Sequence, residues 1–201
     1  MTANVTSPTA SRTPLTSSEN RGTVVTWLAF LASIVAVTGS LYLSLVMKLV
    51  ACPLCFYQRT FAIAACAVLT VGLLTGMGRA VPLSLLALPL ALGGLGVSGF
   101  HVYLEATGKL ECPKGIWDLG SAPQQALGAL VLLTLLLLLD AASRVGTVRF
   151  GGFAFVLGLA LGGAAAYGCV ISAPAIKPRD KPYDAEKEPF NICRPPYDAP
   201  Q

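Results

Sequence analysis

CPLCFYQR, residues 52–59, separates two long apolar runs, and the reading of its flanks decides the fold. Thr23 to Met47 precedes it and Phe56 to Gly76 follows, each supplying the ~20 mostly apolar residues that crossing a hydrocarbon core requires. Val81 to Tyr103, Pro123 to Ala142 and Gly151 to Ala173 qualify in the same way. Of the 201 residues, 54% are hydrophobic and only 12% charged, where a soluble domain carries about 25% charged residues. The fold implied is all-α: a polytopic membrane helical bundle, with four helices in residues 23–143 and a fifth transmembrane helix in 144–173.

The two ends of the chain differ from this core. Residues 1–22 are rich in Ser and Thr without apolar periodicity and read as a disordered tail. Residues 174–201 hold seven of the fourteen prolines and read as an extended, water-exposed arm that carries Cys193. The first apolar run exceeds the 7–15 residues of a signal-peptide core and is followed at once by another, so it reads as a retained helix. The net charge of +4 is spread over loops and tails, which gives no footprint for nucleic acid.

Parity places the cysteines. Each crossing changes side, so the loops after the first and third helices and the arm after the fifth share one compartment. Cys52, Cys55, Cys112 and Cys193 therefore lie together, and the opposite side carries no cysteine. Basic residues occur on both sides, so the positive-inside rule does not orient the chain. Paired surface thiols persist as disulfides in oxidising spaces, which places the cysteine side outside the cytoplasm.

A Cys-x-x-Cys that opens a helix suits redox cycling, because the helix N-terminus favours thiolate over thiol and the short loop closes a small disulfide. Arg59 falls one turn beyond Cys55 on the same face, where a fixed cation stabilises charge on sulfur or on a reduced acceptor; the competing reading is an arginine reaching to headgroups. A structural disulfide or half a zinc site are the alternatives for the cysteines. Zinc usually takes four ligands and His101 is the sole histidine, so no metal site is expected. Cys66, deep in the second helix, reads as a packing residue, and Asp140 as an i,i+4 partner of Arg144.

The eight residues Cys52 to Arg59, set between two spans, resemble the signature of the disulfide bond formation protein B (DsbB) family of quinone-linked thiol oxidases in bacterial membranes. The resemblance runs from about Val24 to Ala142. It implies that the motif disulfide passes electrons to a membrane quinone, ubiquinone or menaquinone, with Cys55 facing the quinone and Arg59 holding it. His101, in GFHVYLE, matches a family histidine near the quinone; it also fits a histidine merely satisfied at the interface, with Glu105 bonding it or solvated. The family supplies a second cysteine pair in the loop after its third helix, whereas this chain has only Cys112 there. We expect Cys112 and Cys193 to form the second redox disulfide, with Cys169 as the competing partner for Cys112.

The function expected from the resemblance is a thiol:quinone oxidoreductase of the bacterial inner membrane, which reoxidises a soluble thioredoxin-like, DsbA-like thiol oxidase. Two alternatives stay open: an enzyme like vitamin K epoxide reductase, in which the Cys-x-x-Cys falls later in the chain, and a non-enzymatic scaffold whose disulfides only staple loop to arm.

Overall fold

A computed structural model of the chain describes residues 17–76, 82–147, 151–174, 182–183 and 188–197. Most of the N-terminal tail, most of the turn after Gly76 and much of the arm lie outside these residues. Five long helices carry the described chain: α1 (Ser17–Leu45), α2 (Pro53–Leu74), α3 (Leu83–Ala106), α4 (Ala122–Arg144) and α5 (Gly151–Ser172). All five are long and apolar enough to cross a bilayer. The protein is a polytopic membrane helical bundle, in which each span satisfies its own backbone hydrogen bonds.

The helix ends follow local chemistry. α1 begins ahead of the expected Thr23, with its first turns in the polar SSENRG, and ends at Leu45; beyond that end, Lys48 adopts left-handed backbone (φ 59°). α2 starts at Pro53, ahead of the expected Phe56, because Cys52 caps it: the Cys52 sulfur accepts from the Cys55 backbone N–H at 3.3 Å. Pro53, lacking an N–H, suits the first turn. Ser121 caps α4 in a reciprocal capping box with Gln124.

α3 is the central helix, packed against α2, α4 and α5, while α1 packs against α2 and α4. Pro89 lies inside α3 without ending it. α5 approaches α3 through the edge bearing Gly158 and Gly162: a Cβ on Gly162 would stand 2.6 Å from the Leu92 Cβ and 2.9 Å from the Pro89 carbonyl oxygen. Small residues at such a crossing let backbones close in where lipid offers no hydrophobic drive between helices.

Two apolar clusters divide the interior. One, around Leu69, Leu88, Leu133 and Leu137, fills the half towards the cysteine-free end. There Asp140 is 1% exposed, accepting from the Thr26 hydroxyl at 3.1 Å and from Arg144 Nε at 2.8 Å, and so ties α1 to α4. The other, around Val97, Leu104 and Leu110, surrounds the cysteines.

Candidate redox site

Four sulfurs meet at one end of the bundle. Cys52 and Cys55 come from the cap and first turn of α2, Cys112 from the loop after α3, and Cys193 from the arm. Cys112 and Cys193 are joined in a disulfide across 81 residues of sequence. Cys169 is a free thiol on α5, packed against the same apolar cluster. Cys66, also free, lies away from this group on α2 and approaches Thr70.

Backbone pairing sets the arm in register. Val50 N–H donates to the Asn191 carbonyl at 2.7 Å, and Glu111 and Arg194 exchange both backbone hydrogen bonds, at 2.8 and 3.0 Å. The arm is therefore fastened on one side just before Cys52 and on the other just before Cys112, with Cys193 between. Arg194 lies over the Tyr183 ring, 3.8 Å from its centroid, and also over Phe190; Tyr183 donates its hydroxyl to the Pro195 carbonyl at 2.8 Å.

His101, on α3, is completely buried in the middle of this cluster. Its Nε2 lies 3.5 Å from the Cys112 sulfur and 3.8 Å from Cys52, and its Nδ1 lies 3.9 Å from Cys55. Gln58, also buried, places its amide nitrogen 3.1 Å from Nδ1. With that amide donating, the neutral ring carries its proton on Nε2, aimed at sulfur. Gln58 escaped the sequence reading; its one signal was an amide at the head of an apolar helix. Glu105 bonds neither histidine nor solvent alone: it accepts from the Ser121 hydroxyl at 2.7 Å.

The Cys52 and Cys55 sulfurs stand 3.0 Å apart as thiols. The Cys52 thiol, at the mouth of α2, is pulled well below the ordinary range, first by the hydrogen bond from the Cys55 sulfur and, against the opposing effect of burial, by His101. A thiolate is the attacking species in disulfide exchange.

Arg59 turns towards α1. Its Nε donates to the Ser40 hydroxyl at 2.9 Å, and its Nη2 donates to the Ser40 carbonyl at 3.1 Å and the Ser44 hydroxyl at 2.5 Å. These serines, i,i+4 in the C-terminal part of α1, were also missed from sequence. Arg59, Cys55, Gln58 and Cys193 line a cavity of about 230 Å³, together with Ser40, Ser44 and Gln125 and a mostly apolar remainder that includes Val35, Leu43, Ala126 and Leu130 of α1 and α4. A second cavity, of about 380 Å³, borders Cys52 and Cys193 on the side of α3 and α5. His101 lines neither.

An apolar slot with a fixed guanidinium and a thiol at its wall has the chemistry to receive a flat, apolar ring bearing carbonyl oxygens. The ligand atoms of Cys52, Cys55, His101 and Cys193 lie within 4.8 Å of one another, a set that suits a soft metal in kind. Cys193, however, is bonded to Cys112 here, which removes its thiolate.

Residues 22–129 match the family described as Disulfide bond formation protein DsbB. Over 83 residues the chain is 36% identical to Disulfide bond formation protein B of Herminiimonas arsenicoxydans, a match covering 41% of this chain and 52% of that protein. The matched part thus spans about half the length of that curated relative. No solved structure matches the chain. Most of α4, from residue 130 on, together with α5 and the Cys193 arm falls beyond the residues that match the family.

Proposed function

The chain belongs to the DsbB family, and from that premise we propose that it is a membrane thiol:quinone oxidoreductase supporting disulfide bond formation outside the cytoplasm. In this reading a soluble, thioredoxin-like, DsbA-like carrier dithiol is oxidised by the Cys112–Cys193 disulfide. The electrons then move by thiol–disulfide exchange to Cys52 and Cys55, and from there to ubiquinone or menaquinone. The observation that carries the proposal is the single cavity whose wall holds Cys55, Arg59 and Cys193 together, beside a cluster of four sulfurs around His101.

Each residue has a part that its surroundings support. Cys55, on the cavity wall, presents the reducing sulfur, and Arg59, fixed by two serines of α1, holds positive charge where an acceptor gains electrons. The quinone, when bound, supplies the two-electron acceptor chemistry. Cys52, whose thiol is readily ionised, takes part in exchange with the second pair. His101 donates from Nε2 to sulfur and steadies negative charge on Cys52 or Cys112.

The test is turnover by purified full-length protein given a dithiol and a short-chain quinone. Wild type is expected to consume dithiol and reduce quinone in equal amounts. Cys55→Ser should abolish quinone reduction, and Cys193→Ser should abolish dithiol-dependent turnover. A wild type that reduces no quinone, or a Cys193→Ser variant that turns over normally, would refute the proposal.

A further inference from the structure

We propose that Cys52, Cys55, Cys193 and His101 form a tetrahedral site for a soft divalent cation of the zinc type in the state where the Cys112–Cys193 bond is reduced. Their ligand atoms lie within 4.8 Å of one another, and Cys112 falls outside the set. Zinc bonds of about 2.3 Å to sulfur and about 2.0 Å to nitrogen put the edges of such a tetrahedron at roughly 3.5–3.8 Å. The Cys52 and Cys55 sulfurs stand 3.0 Å apart and His101 Nε2 lies 3.8 Å from Cys52. Side-chain movements of roughly 1 Å therefore close the polyhedron around one ion. Three thiolates and one imidazole are the donor set of many closed zinc sites, and the Cys-x-x-Cys spacing supplies two of them from one turn. A count of histidines in the sequence misses this set, because the third sulfur reaches the motif only through the arm, which is clasped at Asn191 to Val50 and at Arg194 to Glu111.

The surroundings suit a metal as well as the ligands do. The Cys55 backbone N–H already donates to the Cys52 sulfur at 3.3 Å, a bond that orients a coordinated thiolate and tempers its charge. With His101 Nε2 on the metal, Nδ1 carries the ring proton, and the Gln58 amide, 3.1 Å away, turns its oxygen to accept it. Cys193 lines both cavities and Cys52 the larger one, which gives a cation a path to the sulfurs. Reducing Cys112–Cys193 takes two electrons and two protons from a dithiol. Metal binding then releases the protons of the three coordinating thiols and forms three metal–sulfur bonds and one metal–nitrogen bond, with no electron transferred. Three thiolates and a divalent cation leave one negative charge, next to Arg59 on the wall that also holds Cys55. The ion and Cys112 compete for the same Cys193 sulfur, so bound metal holds both cysteine pairs reduced and stops exchange between them.

The experiment titrates full-length protein, reduced with a phosphine in detergent, with Co²⁺ and then with Zn²⁺ as competitor. One cobalt per chain should bind with the visible bands of tetrahedral thiolate coordination, and zinc should displace it. Protein with the Cys112–Cys193 bond intact should show no such bands. Cys193→Ser should weaken zinc binding by more than the ~10–100-fold that losing an outer-shell partner costs, and Cys112→Ser should stay within about threefold of reduced wild type. In reduced wild type, zinc should shield Cys52, Cys55 and Cys193 from N-ethylmaleimide, read by peptide mapping, and leave Cys112 as reactive as before; this arm does not depend on how the variants fold. Absence of tetrahedral cobalt bands, equal binding by oxidised protein, or shielding of Cys112 in place of Cys193 would overturn the assignment. The two readings fail separately: a protein that binds zinc in this way and reduces no quinone sinks the functional proposal and leaves the metal site standing.

Discussion

Arg59→Lys isolates what the guanidinium contributes. Arginine spends Nε and Nη2 on Ser40 and Ser44 and keeps Nη1 free of any protein hydrogen bond among the described residues, so one side chain is anchored to α1 and still presents a donor to the cavity. A lysine ammonium is a single point with three donors and cannot span both tasks. A hydrogen bond to a charged group contributes about 1.5–3 kcal/mol, and the half-buried setting of Arg59 argues for the lower end. Losing one such bond to the acceptor should therefore raise KM for a short-chain quinone about tenfold, since ~1.4 kcal/mol is a factor of ten. Steady-state quinone reduction measures that change, and stopped-flow loss of the Cys112–Cys193 disulfide on adding dithiol measures the other half-reaction. The second should keep its wild-type rate. If KM for quinone stays within twofold of wild type, or if both half-reactions slow together, Arg59 does not act at the acceptor cavity.

Other consequences are open to measurement. Asp140→Ala removes the buried acceptor shared by Thr26 and Arg144, at a cost of about 1–3 kcal/mol, and should lower the thermal unfolding midpoint in detergent by several degrees. Gly162→Ala pushes a methyl group against Leu92 and the Pro89 backbone and should destabilise by about 1–3 kcal/mol, whereas Gly163→Ala, with open space around its Cβ, should be near neutral in the same assay. Cys55→Ala withdraws the hydrogen bond that chiefly depresses the Cys52 thiol, so its ionisation should move up. Thiolate absorbance from Cys52 should then vanish below neutral pH and return only in the alkaline range, and an unchanged titration would contradict the assigned cause.

Much of the site was legible because the deciding signals are local or topological. The Cys-x-x-Cys at a helix start is a contiguous motif, and an odd number of crossings brings the arm to its side of the bilayer without any knowledge of packing. What stayed hidden depends on how each helix is rotated. Gln58, Ser40 and Ser44 sit on apolar helices, and no sequence period distinguishes a hydroxyl that meets Arg59 from one that satisfies its own helix. Thr38, two residues before Ser40, does the latter through the Ile34 carbonyl. His101 was placed by resemblance near an acceptor site; the structure sets it between the sulfurs and off both cavity walls. Asp140 pairs with Arg144 as its spacing indicates, but its burial and its bond to Thr26, 114 residues away, required the tertiary arrangement.

The bond between residues 112 and 193 closes a covalent ring around the hairpin made by α4 and α5. A protease that cuts the connection between those two helices cannot part the pieces: the halves should migrate as one band on a non-reducing gel and separate only once a reductant opens the ring. Limited proteolysis followed by paired gels would thus read out, from intact membranes and without any spectroscopy, what fraction of the population is oxidised at that bond.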